Sequence, residues 1–152
     1  MKRFQISRST KKPAITITRE AIKRDKLVYI ALANKAVRYR SKRSSRVVYI
    51  GTTEKGINRI AASGASRAKK ILNKRGIKRL DFYVVFAKRG RQRVQSIWRK
   101  LECSLIQAFK ERFYEPPILN TVGKNKDWEK YYKYFSRTMT RRLITEFSEM
   151  KG

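Results

Sequence analysis

The chain has 152 residues and carries forty Lys and Arg against eleven Asp and Glu, a formal charge of +29. It has no histidine and one cysteine, Cys103, which excludes histidine-based triads, histidine metal sites, internal disulfides and zinc fingers. At 41% hydrophobic and 11% aromatic residues it is too apolar for a disordered basic tail, so one folded domain with a polyanionic partner is expected.

Residues 1–12 read as a basic arm suited to phosphate contact. This start lacks the apolar core of a secretory signal, and no run of about eighteen apolar residues follows, so an intracellular location is expected. Its basic, serine-containing composition also resembles an organellar transit peptide. Ala14–Thr18 alternates like a short extended piece, and Thr18 is placed to cap a brief helix over Arg19–Arg24.

Two β-branched and aromatic runs come next, Leu27-Val28-Tyr29-Ile30 and Val47-Val48-Tyr49-Ile50-Gly51. They predict strands over Lys26–Ala33 and Arg46–Gly51, joined by a long loop from Asn34 to Ser45. That loop carries Lys35, Arg38, Tyr39, Arg40, Lys42 and Arg43, and its cations are expected on nucleic acid rather than on a merely solvated surface. Glu54–Asn73 has helical periodicity, with Gly64 as the expected break, and it contains Arg59 and Arg67. Arg79–Lys88 is a third strand, expected in the middle of the sheet.

Arg91–Tyr114 is the longest predicted helix, with Val94, Ile97, Trp98, Leu101, Leu105 and Phe109 on one face. Glu102 falls inside that apolar arc. A carboxylate there calls either for a buried ion pair, with Arg59 as one available partner, or for a metal. Pro116-Pro117 ends the helix and Ile118-Leu119-Asn120 follows. Lys126–Phe135 and Thr138–Met150 complete the pattern as helical segments, the latter with Leu143, Ile144 and Phe147 as its stripe. The expected fold is α/β in the α+β sense: a small, mainly antiparallel sheet of about three strands flanked by helices. Residues 1–25 would form an arm, 26–122 the core, and 123–152 a helical extension packed on it.

Tyr29, Tyr49-Ile50-Gly51, Arg59, Leu101-Glu102-x-x-Leu105-Ile106 and Pro117-Ile118-Leu119-Asn120 follow one another in an order that resembles the GIY-YIG nucleases. The resemblance covers roughly residues 26–122. Leu27 stands where the family has glycine, the loop between the two tyrosine motifs is longer than in short-loop members, and Ser63 stands where many members carry histidine or tyrosine. The resemblance implies DNA endonuclease activity with one divalent ion, Mg2+ or Mn2+, held by Glu102. It also implies Arg59 on a phosphate oxygen, Tyr29 activating water, Tyr49 hydrogen-bonded in the same cluster, and Asn120 orienting the tyrosine or supporting the site. Lys35, Arg38, Arg40, Lys42, Arg43, Lys55 and Arg67 would contact the nucleic acid, and a homodimer on DNA would serve two coordinated cuts. The scarcity of acids agrees with a one-carboxylate, one-metal scheme. The alternative is a non-catalytic nucleic-acid-binding or ribonucleoprotein component, with RNA as partner, that keeps a nuclease-like fold.

Overall fold

The computed structural model describes residues 22–88, 94–120 and 133–151. The element order is β1 (Leu27–Arg38), β2 (Ser44–Thr53), α1 (Ile57–Ile71), β3 (Leu80–Val85), α2 (Ile97–Phe113) and α3 (Arg137–Glu149). The three strands pair antiparallel in the order β2-β1-β3, so the fold is α+β, as expected. Residues 1–21 of the expected arm, with its short extended piece, lie outside the described residues, as does most of the helical segment over 126–135; of the helix expected over Arg19–Arg24 residues 22–24 are described and are not helical.

The central strand is β1 and not the third apolar run. Every residue from Leu27 to Ala33 is buried, because β1 has a neighbour on each edge and helices over each face. The third run is equally apolar in sequence, yet β3 lies at an edge and its Tyr83 is exposed. Alternation in the strands sorts the two layers. Leu27 and Tyr29, with Phe82 and Val84 of β3, meet Ile57 and Ile60 of α1 on one face. Val28, Ile30 and Leu32 share the main core with Leu105 and Phe109 of α2 and Ile144 and Phe147 of α3. The predicted C-terminal helix is thus part of that core, entered through a Ser136 side chain that caps Met139 N–H.

The expected long loop from Asn34 to Ser45 is largely strand. β1 continues to Arg38, and only a tight turn, closed by Tyr39 N–H to the Arg43 carbonyl at 2.9 Å, joins it to β2. Continuation requires a wide irregularity, since residues 33–36 of β1 lie between the pairs Leu32↔Val47 and Val37↔Ser45. Buried Arg46 fills that irregularity. It donates to the carbonyls of Ala33 and Met150 and lies 4.0 Å from the Asp81 carboxylate. Tyr39 is a core residue rather than a nucleic-acid contact. Its hydroxyl donates to the Val47 carbonyl at 2.7 Å and accepts from Ile118 N–H at 3.3 Å, and its ring packs 5.0 Å from Phe109. Burial accordingly raises its phenol far above the ordinary value.

Two helices also differ from expectation. α1 runs through Gly64 without a break, and a Cβ there would come within 3.1 Å of the Phe82 ring. The glycine serves close packing of helix on sheet and not a kink. α2 starts at Ile97, six residues after the expected Arg91, behind a left-handed Ser96. Residues 89–93 lie outside the described residues, and Val94 precedes the helix. Among the described residues no helix is long and apolar enough to cross a membrane.

Tyr39→Phe should lower stability by about 1–2 kcal/mol, since it removes a buried hydroxyl with two partners. Urea unfolding measures this. An unchanged midpoint would mean that the hydroxyl is not buried between these two partners.

Candidate active site

The β1–β2 register places Tyr29 opposite Gly51 and Ala31 opposite Tyr49, so the two tyrosines lie diagonally on the α1 face of the sheet. Their ring centroids are 5.8 Å apart at 46°. Gly51 makes this possible. A Cβ at position 51 would lie 2.6 Å from Tyr49 Cε1, 2.9 Å from Tyr49 Oη and 3.0 Å from Tyr29 Cζ. The Tyr-Ile-Gly triplet therefore has a steric meaning: the rings lean over the position that lacks a side chain.

α1 then presents one stripe of residues to the rings. Gly56 opens the helix at φ +69, with its N–H donated to the Asp25 carbonyl at 2.9 Å. Arg59, Ser63 and Arg67 follow at intervals of four, on one side of the helix. Ser63 Oγ is 3.0 Å from Tyr29 Oη. Arg67 donates to Tyr49 Oη at 3.0 Å and to the Leu119 carbonyl, and its guanidinium lies 4.2 Å over the Tyr49 ring. Arg67, expected on phosphate, is thus engaged inside the protein. Burial, and then neighbouring Tyr29, push the Tyr49 phenol up to about 12, with Arg67 opposing the rise. Tyr49 is consequently a hydrogen-bond donor at neutral pH and not a base.

Glu102 approaches β2 from the opposite layer. Thr52 Oγ1, next along the strand from Gly51, donates to its Oε2 at 3.4 Å. Desolvation raises the Glu102 carboxyl from an ordinary value near 4.5 to about 7, against the pull of Thr52 and of Arg99 one helical turn earlier. Among the described residues no ion pair joins Glu102 to Arg59. Arg99, one helical turn earlier, is instead paired with Glu54 at 2.6 Å. Where β2 leads into α1, an open cleft of about 220 Å³ is lined by Thr52, Thr53, Glu54, Lys55, Arg59 and Arg99. Arg59 is exposed there, so its guanidinium faces solvent and any ligand.

Asn120 clamps the other edge of β2. Its amide donates to the Ile50 carbonyl at 2.8 Å and accepts Ile50 N–H at 3.0 Å, while Leu119 N–H bonds the Val48 carbonyl at 2.9 Å. Its side-chain hydrogen bonds go to the backbone between Tyr49 and Gly51 and not to either tyrosine hydroxyl. Because β2 is an edge strand, this clamp also covers part of an otherwise open strand edge. Cys103, beside Glu102, has its thiol raised to about 11 by burial, which makes it a poor nucleophile.

A hard divalent cation fits this donor set. Glu102 is a partly buried carboxylate lacking an ion-pair partner among the described residues, and bound positive charge would stabilise its ionised form. Among the described residues there is no cluster of three or more acids and cysteines, so most remaining ligands of Mg2+ or Mn2+ would be water or phosphate oxygen.

The cations divide. Lys55 lines the cleft. Lys35, Arg38, Arg40, Lys42 and Arg43 are exposed, but Arg38–Arg43 sit at the far end of the hairpin, on the order of 30 Å along β1 from Tyr29. Arg40 is also occupied by Glu115 at 3.5 Å. Sequence reasoning missed Thr52 and Arg99 as site residues. Each had a signal: Thr52 alternates with Gly51 and so faces the α2 layer, and Arg99 precedes Glu102 by one helical turn. Comparisons with protein-family models, with curated proteins and with solved structures find no match to this chain.

The Glu102 shift has a defined sign. A carboxyl raised in the folded state binds more protons folded than unfolded between pH 4.5 and 7, so stability falls as pH rises through that window and is level above it. Glu102→Gln removes the penalty. In EDTA it should stabilise the protein at pH 8 by up to about 3 kcal/mol and have little effect at pH 4.5. Thermal melts of both proteins at both pH values check this; equal effects at the two values would mean that Glu102 is not desolvated.

Proposed function

We propose that the chain is a metal-dependent DNA endonuclease that hydrolyses phosphodiester bonds with one divalent ion, as in the GIY-YIG nucleases it resembles. The observation that carries the reading is the convergence on one end of β2. Two tyrosines lean over Gly51, a desolvated carboxylate is reached through Thr52, and an exposed guanidinium lines the adjoining cleft. A purely structural hairpin does not require Glu102 in a partly desolvated position beside phosphate-binding cations.

In this scheme a water oxygen bonds to phosphorus, the bond from phosphorus to one ester oxygen breaks, and the water's proton leaves through Tyr29. Tyr29 is the better candidate base because Tyr49 is held neutral. Ser63, hydrogen-bonded to Tyr29 Oη, orients the ring where a histidine or tyrosine stands in many members of the family. Tyr49 donates within the cluster, and Arg67 holds it in place. Arg59 offers its planar fork to a non-bridging oxygen. A divalent ion held by Glu102 would supply charge stabilisation at the phosphate and the leaving oxygen. Asn120 keeps the backbone around Ile50 fixed while the side chains act.

One observation favours the second reading, a non-catalytic nucleic-acid-binding or ribonucleoprotein component: Tyr29 is only 3% exposed, which restricts its access to water. A plasmid-nicking assay at low salt separates the two. With Mg2+ or Mn2+ the protein should nick DNA, and EDTA should stop it. Arg59→Ala and Glu102→Ala should each slow cleavage by roughly 100-fold or more while changing binding in EDTA less than about tenfold. Tight, salt-sensitive binding without nicks under any metal would establish the second reading, with RNA as the next partner to test.

A further inference from the structure

The two layers of the molecule treat their surface charge differently. On α2 and α3 the exposed cations are interlocked with acids: Arg137 and Arg141 with Glu111, Arg142 with Glu146, and Arg112 with Glu149. From Lys55 to Leu80, by contrast, the chain contains no Asp or Glu. The last turn of α1 and the turn that follows it carry Lys69, Lys70, Lys74, Arg75 and Lys78, and Lys35 of β1 joins them, its Nζ lying 3.2 Å from where a Gly76 Cβ would stand. All six are exposed, and none has an ion pair with an acid among the described residues. Lys69 and Lys70 complement the helix C-terminus, but the other four lie beyond it, where the macrodipole gives no reason for them.

This cluster is held on an ordered scaffold. Leu72 N–H bonds the Ala68 carbonyl, Asn73 N–H the Ile77 carbonyl, and Ile77 N–H the Lys74 carbonyl, while the Asn34 side chain accepts from Lys78 and Arg79 N–H. Six like charges fixed on one small surface repel one another unless a polyanion lies on them. From Arg59 in the cleft to Ile71 the helix rises about 18 Å, a little over five base steps of duplex. Between Arg59 and Lys69 the exposed side chains are Ala61, Ala62, Ala65 and Ser66, too short to hold a duplex away from the helix.

We propose that the turn after α1 is a second phosphate-contact site, and that duplex DNA lies along α1 from the cleft to this turn and not across α3. The inference rests on the nuclease reading for its substrate. It adds the direction of the duplex and a footprint of roughly five to six base pairs on one side of the cut.

The test measures binding in EDTA, apart from cleavage. In Lys69→Gln/Lys70→Gln/Lys74→Gln/Lys78→Gln, the slope of log affinity against log salt should fall by about 2–4 units, with at least about tenfold weaker binding at 0.1 M salt. A charge-matched control, Lys133→Gln/Arg137→Gln/Arg141→Gln/Arg142→Gln, should change the slope by less than about one unit. Equal losses in both variants, or no loss in the first, would overturn the proposal. A second measurement needs no variant: wild-type protein with duplexes shortened stepwise from each end. Affinity should fall when one arm, but not the other, drops below about five base pairs, and symmetric dependence would overturn the proposal. A wild-type chain that binds no DNA at all defeats the substrate reading, whereas binding and nicking with an unaffected turn variant defeats only this inference.

Discussion

The pairing of Tyr29 with Gly51 across β1 and β2 is the constraint on which the site depends. Strand alternation leaves no freedom once that register is set: Tyr29 and Tyr49 must share a face, and Thr52 must point to the other. Two rings 5.8 Å apart can occupy that face only because position 51 has no Cβ to meet them. The register is itself secured from both sides. β1 is buried along Leu27–Ala33, so a one-residue slip would turn each layer's apolar set into the other layer, and Asn120 locks the outer edge at Ile50.

That geometry sets the electrostatics. Desolvation acts on Tyr49 and Glu102 together, raising one to about 12 and the other to about 7. The neutral forms dominate at the phenol and compete at the carboxyl. A site with Glu102 near half-ionisation at pH 7 responds strongly to added positive charge, which is what a catalytic cation would bring. Arg99, the cation one helical turn before Glu102, is paired with Glu54, and Arg67 is held by Tyr49. The charge of +29 is thus not a uniform coat: it is interlocked on α3, engaged around Tyr49, and uncompensated along the turn after α1.

What the sequence by itself determined was local. The apolar runs around Tyr29 and Tyr49, the stripe of α2, and the breakers at Pro116 and Pro117 were enough for an antiparallel α+β fold. They also identified Glu102 as an anomaly on an apolar face. Each depends on side-chain period or backbone restriction, which neighbours in sequence already express. Only the tertiary structure decided the rest. Which apolar run is central depends on what covers each edge, and β3 looks as buried as β1 until the sheet order is known. Gly64 read as a helix breaker because its partner, Phe82, is eighteen positions away; Tyr39 read as a loop residue because its partners, Phe109 and Val47, come from other elements. Arg67 has the composition of a phosphate contact, and only the packing of α1 against β2 commits it to Tyr49. Residue identity fixes what a side chain can do, but distances between elements choose among those options, and no local pattern encodes them.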